Sequence, residues 1–189
     1  MQTRDRYMKY ALYKQEQAQE IITLFNNTFS DSEGKEEGGA LIAKLVEDFL
    51  TLPTKDEDLY VFIAQDESER IIGSIIFSRL SFPNGENIFL LAPPVAVATE
   101  CHGQGVGQGL IKFGLATLKE KGITVAITYG DINFYSKTGF APISQDIIQA
   151  PLDLSYPEGW IAQSLVSKAL PNIEGKPTCL PAIDNPYYW

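Results

Sequence analysis

Few residues of this 189-residue chain carry metal-binding or redox chemistry. There are two cysteines, Cys101 and Cys179, and one histidine, His102. Two cysteines make no disulfide scaffold and no metal-ligand spacing, so both are expected as free thiols and no metal site is expected. No apolar run approaches the roughly 18 residues that span a bilayer, so no membrane partner is expected. The first ten residues lack the apolar core of a secretory leader, which makes the cytoplasm the expected location. Basic stripes are missing too. With a net charge of −9 the chain has nothing to neutralise a phosphate backbone, so no nucleic-acid partner is expected. The same acidity favours cationic partners such as amines, or serves only solubility. Internal repeats, low-complexity tracts and linkers are absent.

What is present reads as one globular domain over residues 1–189, with 44% hydrophobic residues available for a core. Tyr7 to Tyr13 reads as a short strand. Gln15 to Phe29 has helical spacing, Asp31 to Gly39 is an acidic break, and Ala40 to Leu50 reads as a second helix. From Leu59 the period becomes two. Leu59 to Gln65 and Arg70 to Phe82 form a hairpin, and Pro83-Asn84-Gly85 turns into a further strand. That strand runs from Asn87 through the Pro93-Pro94 pair to Val97, and it delivers glycines at 103, 105, 107 and 109 to a helix closed by Lys121-Gly122. Ile123 to Tyr129 is a β-branched strand. A short helix ends at Gly139, strands follow at Ala141 to Ile143 and Trp160 to Val166, and a short one is expected at Thr178 to Ile183. The order β-α-α-β-β-β-α-β-α-β-β implies α/β architecture on a mixed sheet.

A strand, a glycine-rich turn and a helix N-terminus together make an anion cradle. Spacing excludes two versions of it. The dinucleotide fingerprint fails because its last glycine would fall on Gln108 or Leu110, and the P-loop fails because no Gly-Lys-Ser/Thr follows. The alternative, that these glycines only permit close helix–sheet packing, stays open at this point.

Two segments carry a resemblance. His102-Gly103-Gln104-Gly105-Val106-Gly107 overlays the signature Gln/Arg-x-x-Gly-x-Gly/Ala, with His102 where Gln or Arg is usual. Tyr135-Ser136-Lys137-Thr138-Gly139-Phe140 meets Tyr-x-x-x-Gly-Phe. In this the chain resembles the GNAT superfamily of acyl-CoA-dependent N-acetyltransferases. Gly130-Asp131 through Phe140 looks most like an uncharacterised bacterial branch with a GDxxxYxxxGF-like segment, from whose GDPxYYxxFGF-like form it departs at Ile132 and Asn133. The resemblance covers about Leu59 to Ile143 well, the N-terminal helices loosely and the last forty or so residues hardly at all. Residues 145–189 are therefore expected as a divergent C-terminal extension of the sheet.

The resemblance implies a central, mostly antiparallel, splayed sheet flanked by helices. It implies acetyl-CoA as cosubstrate, a primary amine of a small molecule or peptide as acceptor, and direct transfer. The pantetheine arm would pair with the backbone of Val95 and Val97, in a gap that the proline pair suits because proline cannot donate to a ladder. Backbone N–H groups from Gly103 through Gln104, Gly105 and Val106 to Gly107 would hold the pyrophosphate. His102 is expected as a hydrogen-bond donor or cation toward phosphate, Asn133 as a partner of the pantetheine and Lys137 as a partner of a CoA phosphate. Tyr135 is expected as general acid to the leaving thiolate, against the alternative that it is only a core aromatic. A base for the amine is sought among Glu86, Asp131 and the acidic stretch Asp31, Glu33, Glu36 and Glu37. Cys101 has no nucleophilic role in direct transfer. Trp160, Tyr187, Tyr188 and Trp189 wall the acceptor site, make a homodimer contact or cap the core. The reading from another class is a non-catalytic acyl-CoA-binding sensor or interaction module.

Overall fold

The computed structural model describes residues 7–33 and 36–189, apart from the side chains at 32, 33 and 36. Strands are β1 (Lys9–Leu12), β2 (Leu59–Gln65), β3 (Ile71–Leu80), β4 (Ile88–Val97), β5 (Val125–Tyr129), β6 (Ala141–Pro142) and β7 (Trp160–Ser164). Helices are α1 (Ala18–Glu33), α2 (Glu36–Thr51), α3 (Val106–Glu120) and α4 (Ile132–Tyr135). The element order follows the hydrophobic periodicity as far as β7. One seven-stranded sheet runs β1-β2-β3-β4-β5-β7-β6, antiparallel except for β4 beside β5.

β3 is buried on both faces, so it reads as an unbroken apolar run rather than an alternating one. Gly73, Ile75 and Phe77 meet α3, whose Val106, Leu110 and Gly114 press on them. The opposite face, with Ile76 and Ser78, lies under α1, which packs on β3, β4 and α2. Aromatic rings tie the α3 layer together: Phe62 meets Phe77 and Phe113 edge-on, at 6.0 and 5.8 Å between centroids.

Several boundaries differ from expectation. The helices around the acidic stretch run further than its composition suggests, α1 through Glu33 and α2 from Glu36, and Gly34 and Lys35 lie outside the described residues. β7 stops at Ser164 because that side chain accepts from the N–H groups of Val166 and Ser167 and turns the chain. The strand expected at Thr178 to Ile183 is a single bridge, Thr178 exchanging both backbone bonds with Ser81 at 2.9 Å, followed by a 3-10 turn at Pro181–Ile183. Pro181 has no N–H to give a ladder and its fixed φ starts a helical turn instead.

The segment 145–189 contributes β7 to the sheet and then folds over the β5–β7 face. Trp189 stacks on Tyr129 at 6.2 Å and tilts against Trp160, also at 6.2 Å. Both indole N–H groups are satisfied by backbone carbonyls, Trp160 by Ile148 at 2.8 Å and Trp189 by Ile183 at 2.9 Å.

The closest helix–sheet approach supplies a stability test. A Cβ built on Gly114 would stand 2.8 Å from the Phe77 ring and 3.2 Å from Ile75 and Phe62. Gly114→Ala should gain about 1 kcal/mol of helix propensity and lose about 1–3 kcal/mol to overpacking against rigid rings. The net expectation is a lowered thermal midpoint, read by circular dichroism; a raised one would show that α3 can lift without cost.

Candidate active site

The sheet opens between β4 and β5. They pair in parallel over four residues each, Ile88–Leu91 against Val125–Thr128. Beyond that β4 continues to Val97 while β5 ends at Tyr129; among the described residues, that stretch of β4 pairs only with β3. Its register is interrupted by the prolines. Ser74 faces Ala96 and Ile76 faces Ala92, so Pro93, Pro94 and Val95 stand opposite Ile75 alone. This three-against-one bulge is the local consequence of residues that cannot donate to a regular ladder.

The parting leaves a cleft of about 760 Å³. Pro93, Pro94, Val95 and Val97 form one wall, and Gly130, Asp131, Phe134 and Tyr135 the other. Thr28 and Phe29 of α1 close one side, and the turn into α3 lies at one end. A cleft of this size suits a ligand of cofactor dimensions.

At the α3 end, Gly103 and Gly105 have φ of +73° and +77°, and a Cβ on either would meet no atom within 4 Å. Both the left-handed turn and the open approach to it therefore depend on glycine. Gly105 caps α3, whose first N–H groups, on Val106, Gly107 and Gln108, have no acceptor one turn earlier in the helix. Together with the roughly half positive charge of a helix N-terminus, they form an anion-binding end in a chain of net charge −9. Gly107 lies against Val95, Val97 and Phe134, so α3 reaches the cleft floor.

β4 supplies backbone groups along the gap. Ala98 donates to Ile72 at 2.8 Å, and Gly73–Val97 is the next pair. Antiparallel alternation then points the N–H and C=O of Val97 away from β3. The carbonyl already has two donors: Thr28 Oγ1 at 3.3 Å and His102 Nε2 at 2.7 Å. A carbonyl only accepts, so His102 carries its proton on Nε2. The expected phosphate ligand thus serves the strand edge, and the Val97 C=O, expected to meet pantetheine, has both lone pairs engaged. The Val97 N–H is the group of that residue that faces the gap.

The opposite wall is built around Tyr135. Asp131 caps α4 by accepting from Asn133 N–H at 2.9 Å. Gly139, at φ +99°, ends the following turn, and Gln163 of β7 anchors it by donating to the Thr138 carbonyl at 2.9 Å. Phe134 and Phe140 meet the Tyr135 ring edge-on at 5.0 and 5.9 Å. The ring also packs against Gly130, where a Cβ would stand 2.9 Å from it. Tyr135 is 5% exposed yet lines the cleft, so it is at once a core aromatic and a cleft residue. Burial pushes its phenol up to about 12; the neighbouring Thr128 hydroxyl opposes this, and the Asp131 charge adds to it.

The remaining sequence candidates divide. Asp131, Lys137, His102, Gly103, Gly105, Val106 and Gly107 line the cleft; Gln104 and Asn133 are exposed beside it and do not. Glu86 does not line it either. It precedes β4 at the end opposite Val97, and ten strand residues span about 30 Å. Asp31 accepts from Thr99 Oγ1 at 2.9 Å, which ties α1 to the turn before the glycines. Glu37 is exposed on α2, and the side chains of Glu33 and Glu36 lie outside the described residues. Cys101 and Cys179 are free thiols, and Cys101 is buried against the cleft. Among the described residues no cluster of His, Cys, Asp and Glu could hold a metal ion, and no helix is long and apolar enough to cross a membrane. Sequence reasoning missed Thr28, Phe29 and Thr128, for which spacing offers no signal beyond ordinary helix and strand patterns.

Known proteins resemble this chain in sequence and in fold. Residues 57–142 match the family model described as the acetyltransferase (GNAT) domain. Over 134 residues the chain is 27% identical to the uncharacterized N-acetyltransferase YjhQ of Escherichia coli K12, covering 62% of this chain and 74% of YjhQ. Over 122 residues it is 33% identical to the uncharacterized N-acetyltransferase YhbS of the same strain, and this match spans 65% of the length of YhbS. The crystal structure of Escherichia coli YhbS in complex with CoA superposes with a TM-score of 0.80 at 21% identity, over 98% of this chain and 96% of that one. A GNAT family acetyltransferase from Brucella melitensis in complex with acetyl-CoA gives 0.67 at 20% identity, over 95% and 99%. The YhbS superposition takes in nearly all of the C-terminal segment, which the sequence motifs do not reach.

The raised pKa of Tyr135 has a stability consequence with a definite sign. A phenol whose folded value exceeds its unfolded value near 10 contributes stability below about pH 10 and loses it as pH rises through about 12. Tyr135→Phe should therefore lose less stability than the parent between pH 10 and 12. Urea midpoints of both proteins across that range check it; parallel curves would deny the burial effect.

Proposed function

We propose that the chain is a GNAT acetyltransferase, and that it transfers an acetyl group from acetyl-CoA to a primary amine of a small molecule or peptide by direct attack. The observation that carries the reading is one continuous cleft, which joins the N-terminus of α3 to Tyr135 along a strand edge that β5 does not cover. In this reading the N–H groups at the start of α3 and the turn from Gly103 to Gly105 bind the pyrophosphate, with Lys137 as a cation beside it. Val95 and the Val97 N–H pair with pantetheine amides as a further strand would. His102 acts indirectly, holding the Val97 carbonyl so that the edge keeps its direction.

Direct transfer asks two things of the protein. The amine must reach the thioester unprotonated, and the departing thiolate must be stabilised. Asp131 is the carboxylate of the cleft wall and stands beside Tyr135, so it is the group of this chain to receive the amine proton, directly or through water. Glu86, at the far end of β4, takes no part. Tyr135 faces the leaving sulfur. With its phenol near 12 and an ordinary thiol near 8.5, complete proton transfer to a free thiolate is uphill by about 5 kcal/mol. Tyr135 therefore works as a hydrogen-bond donor whose proton moves only as the C–S bond breaks, and it stays protonated across the neutral range.

Acetyl-CoA should raise the thermal midpoint, and thiol release should follow when tyramine, spermidine or a lysine-containing peptide is added. Tyr135→Phe should lower kcat by about 10²-fold or more while leaving CoA affinity, by calorimetry, within about twofold. Full activity in that variant would remove Tyr135 from the chemistry. Tight CoA binding without thiol release against the whole panel would mark a binding module instead.

A further inference from the structure

We propose that Arg70 is a positioning residue for the cofactor's anion site, its guanidinium cancelling the Glu100 carboxylate so that the glycine turn can take up the CoA diphosphate. The inference rests on the reading given above that this turn and the start of α3 bind CoA. Arg70 immediately precedes β3, beside the end of β4: Ala98, the residue after β4, donates to the Ile72 carbonyl at 2.8 Å. Nη1 of Arg70 donates to Glu100 Oε1 at 2.7 Å, and Nε donates to Asp66 Oδ2 at 3.3 Å. Asp66 also accepts from the Arg70 backbone N–H at 3.1 Å, so the β2–β3 turn fixes the root of this side chain.

Glu100 belongs to the stretch that builds the cradle. It lies in the 3-10 turn Thr99–Cys101, and His102 and Gly103 follow at the cleft. Its carbonyl accepts from Gln104 Nε2 at 3.2 Å, so the chain folds back on it. Three peptide units put Glu100 and Gly103 at most about 11 Å apart at their Cα atoms, near one Debye length at about 0.1 M salt. Further carboxylates crowd this end. Asp31 accepts from Thr99 Oγ1 at 2.9 Å, and Glu20 accepts from the Ile71 N–H at 2.9 Å. Among the described residues, Arg70 is the only cation in a salt bridge with the turn Thr99–Cys101.

Magnitudes decide what the pair does. The Arg70 and Glu100 side chains are 53% and 58% exposed. An exposed ion pair adds little to the stability of a fold, so bracing the turn is its minor task. A highly charged ligand multiplies its effect. The diphosphate and 3′-phosphate of CoA carry roughly four negative charges, and all of them meet the field of whatever charge this turn presents. One unit charge about 10 Å away then changes affinity by about three- to fivefold at low salt. With Arg70 in place the Glu100 charge is offset. Without it, Glu100 and Asp66 both face the approaching anion uncompensated.

Calorimetric titration with CoA at about 20 mM salt checks this, and it needs no acceptor. Arg70→Gln should weaken binding about three- to fivefold, Glu100→Gln should tighten it by a similar factor, and the double variant should lie within about twofold of the parent. Arg70→Lys, which keeps the charge and loses the planar fork, should also stay within about twofold. At about 0.5 M salt the differences should fall below about 1.5-fold, because the Debye length shrinks to about 4 Å. If Glu100→Gln weakens CoA binding as Arg70→Gln does, the pair is a structural brace and the proposal is overturned. A double variant as weak as Arg70→Gln would make Arg70 a direct phosphate ligand and overturn it too. Equal affinity in every variant sinks only this inference, whereas a parent that binds no CoA sinks the cofactor reading on which it rests.

Discussion

The parting of β4 from β5 is the constraint on which the site depends. Two neighbouring strands normally stay paired, since each unpaired backbone group forfeits a hydrogen bond. Here they pair over four residues each and then separate. On the β4 side, Pro93 and Pro94 remove two N–H groups and force a bulge against Ile75. On the β5 side, Tyr129 turns to Trp160 of β7, and Gly130 leads the chain into α4. The exposed edge is left partly satisfied: Thr28 and His102 fill the Val97 carbonyl, and its N–H stays toward the gap. An open edge of this kind would invite indiscriminate pairing if it were long and flat. Here the edge is confined inside a cleft between α1 and α4.

Electrostatics along the cleft run against the protein's overall sign. A chain of net charge −9 needs local positive potential to hold an anion, and backbone dipoles at the start of α3 supply it without a cluster of basic side chains. The carboxylate of Asp131 stands on the other wall, near the phenol of Tyr135, where negative charge suits an incoming amine and keeps the phenol protonated. In the proposed reaction the two walls carry opposite tasks, one on β4 and α3 and the other on the chain after β5.

The C-terminal segment completes the architecture. β7 pairs with β5 and pins the turn after α4 through Gln163, so the Tyr135 wall is held from the sheet's far side. Trp189 covers the opposite face of the same strands, stacked on Tyr129 and touching Trp160. Of the aromatic residues that stood apart from the motifs, Trp160 belongs to β7 and Trp189 covers the strands from which the α4 wall departs, whereas Tyr187 is exposed.

Element order was legible in the chain because periodicity is local: a period near 3.6 over Gln15 to Phe29, a period of two from Leu59, and a glycine-rich stretch leading into a helical pattern. Half the site was legible for the same reason, since Gly103 to Gly107 and Tyr135 to Phe140 each form a contiguous motif. The tertiary structure decided what depends on register and on which strands meet. It placed Glu86 outside the cleft lining, gave the Val97 carbonyl to His102 and Thr28, and reduced Thr178 to Ile183 to a bridge and a proline-led turn. It also brought Phe29 of α1 to the cleft and set Thr128 at the last pair before the strands part. No local pattern encodes these placements, because each is a contact between residues tens of positions apart, fixed only when the whole sheet chooses its pairing.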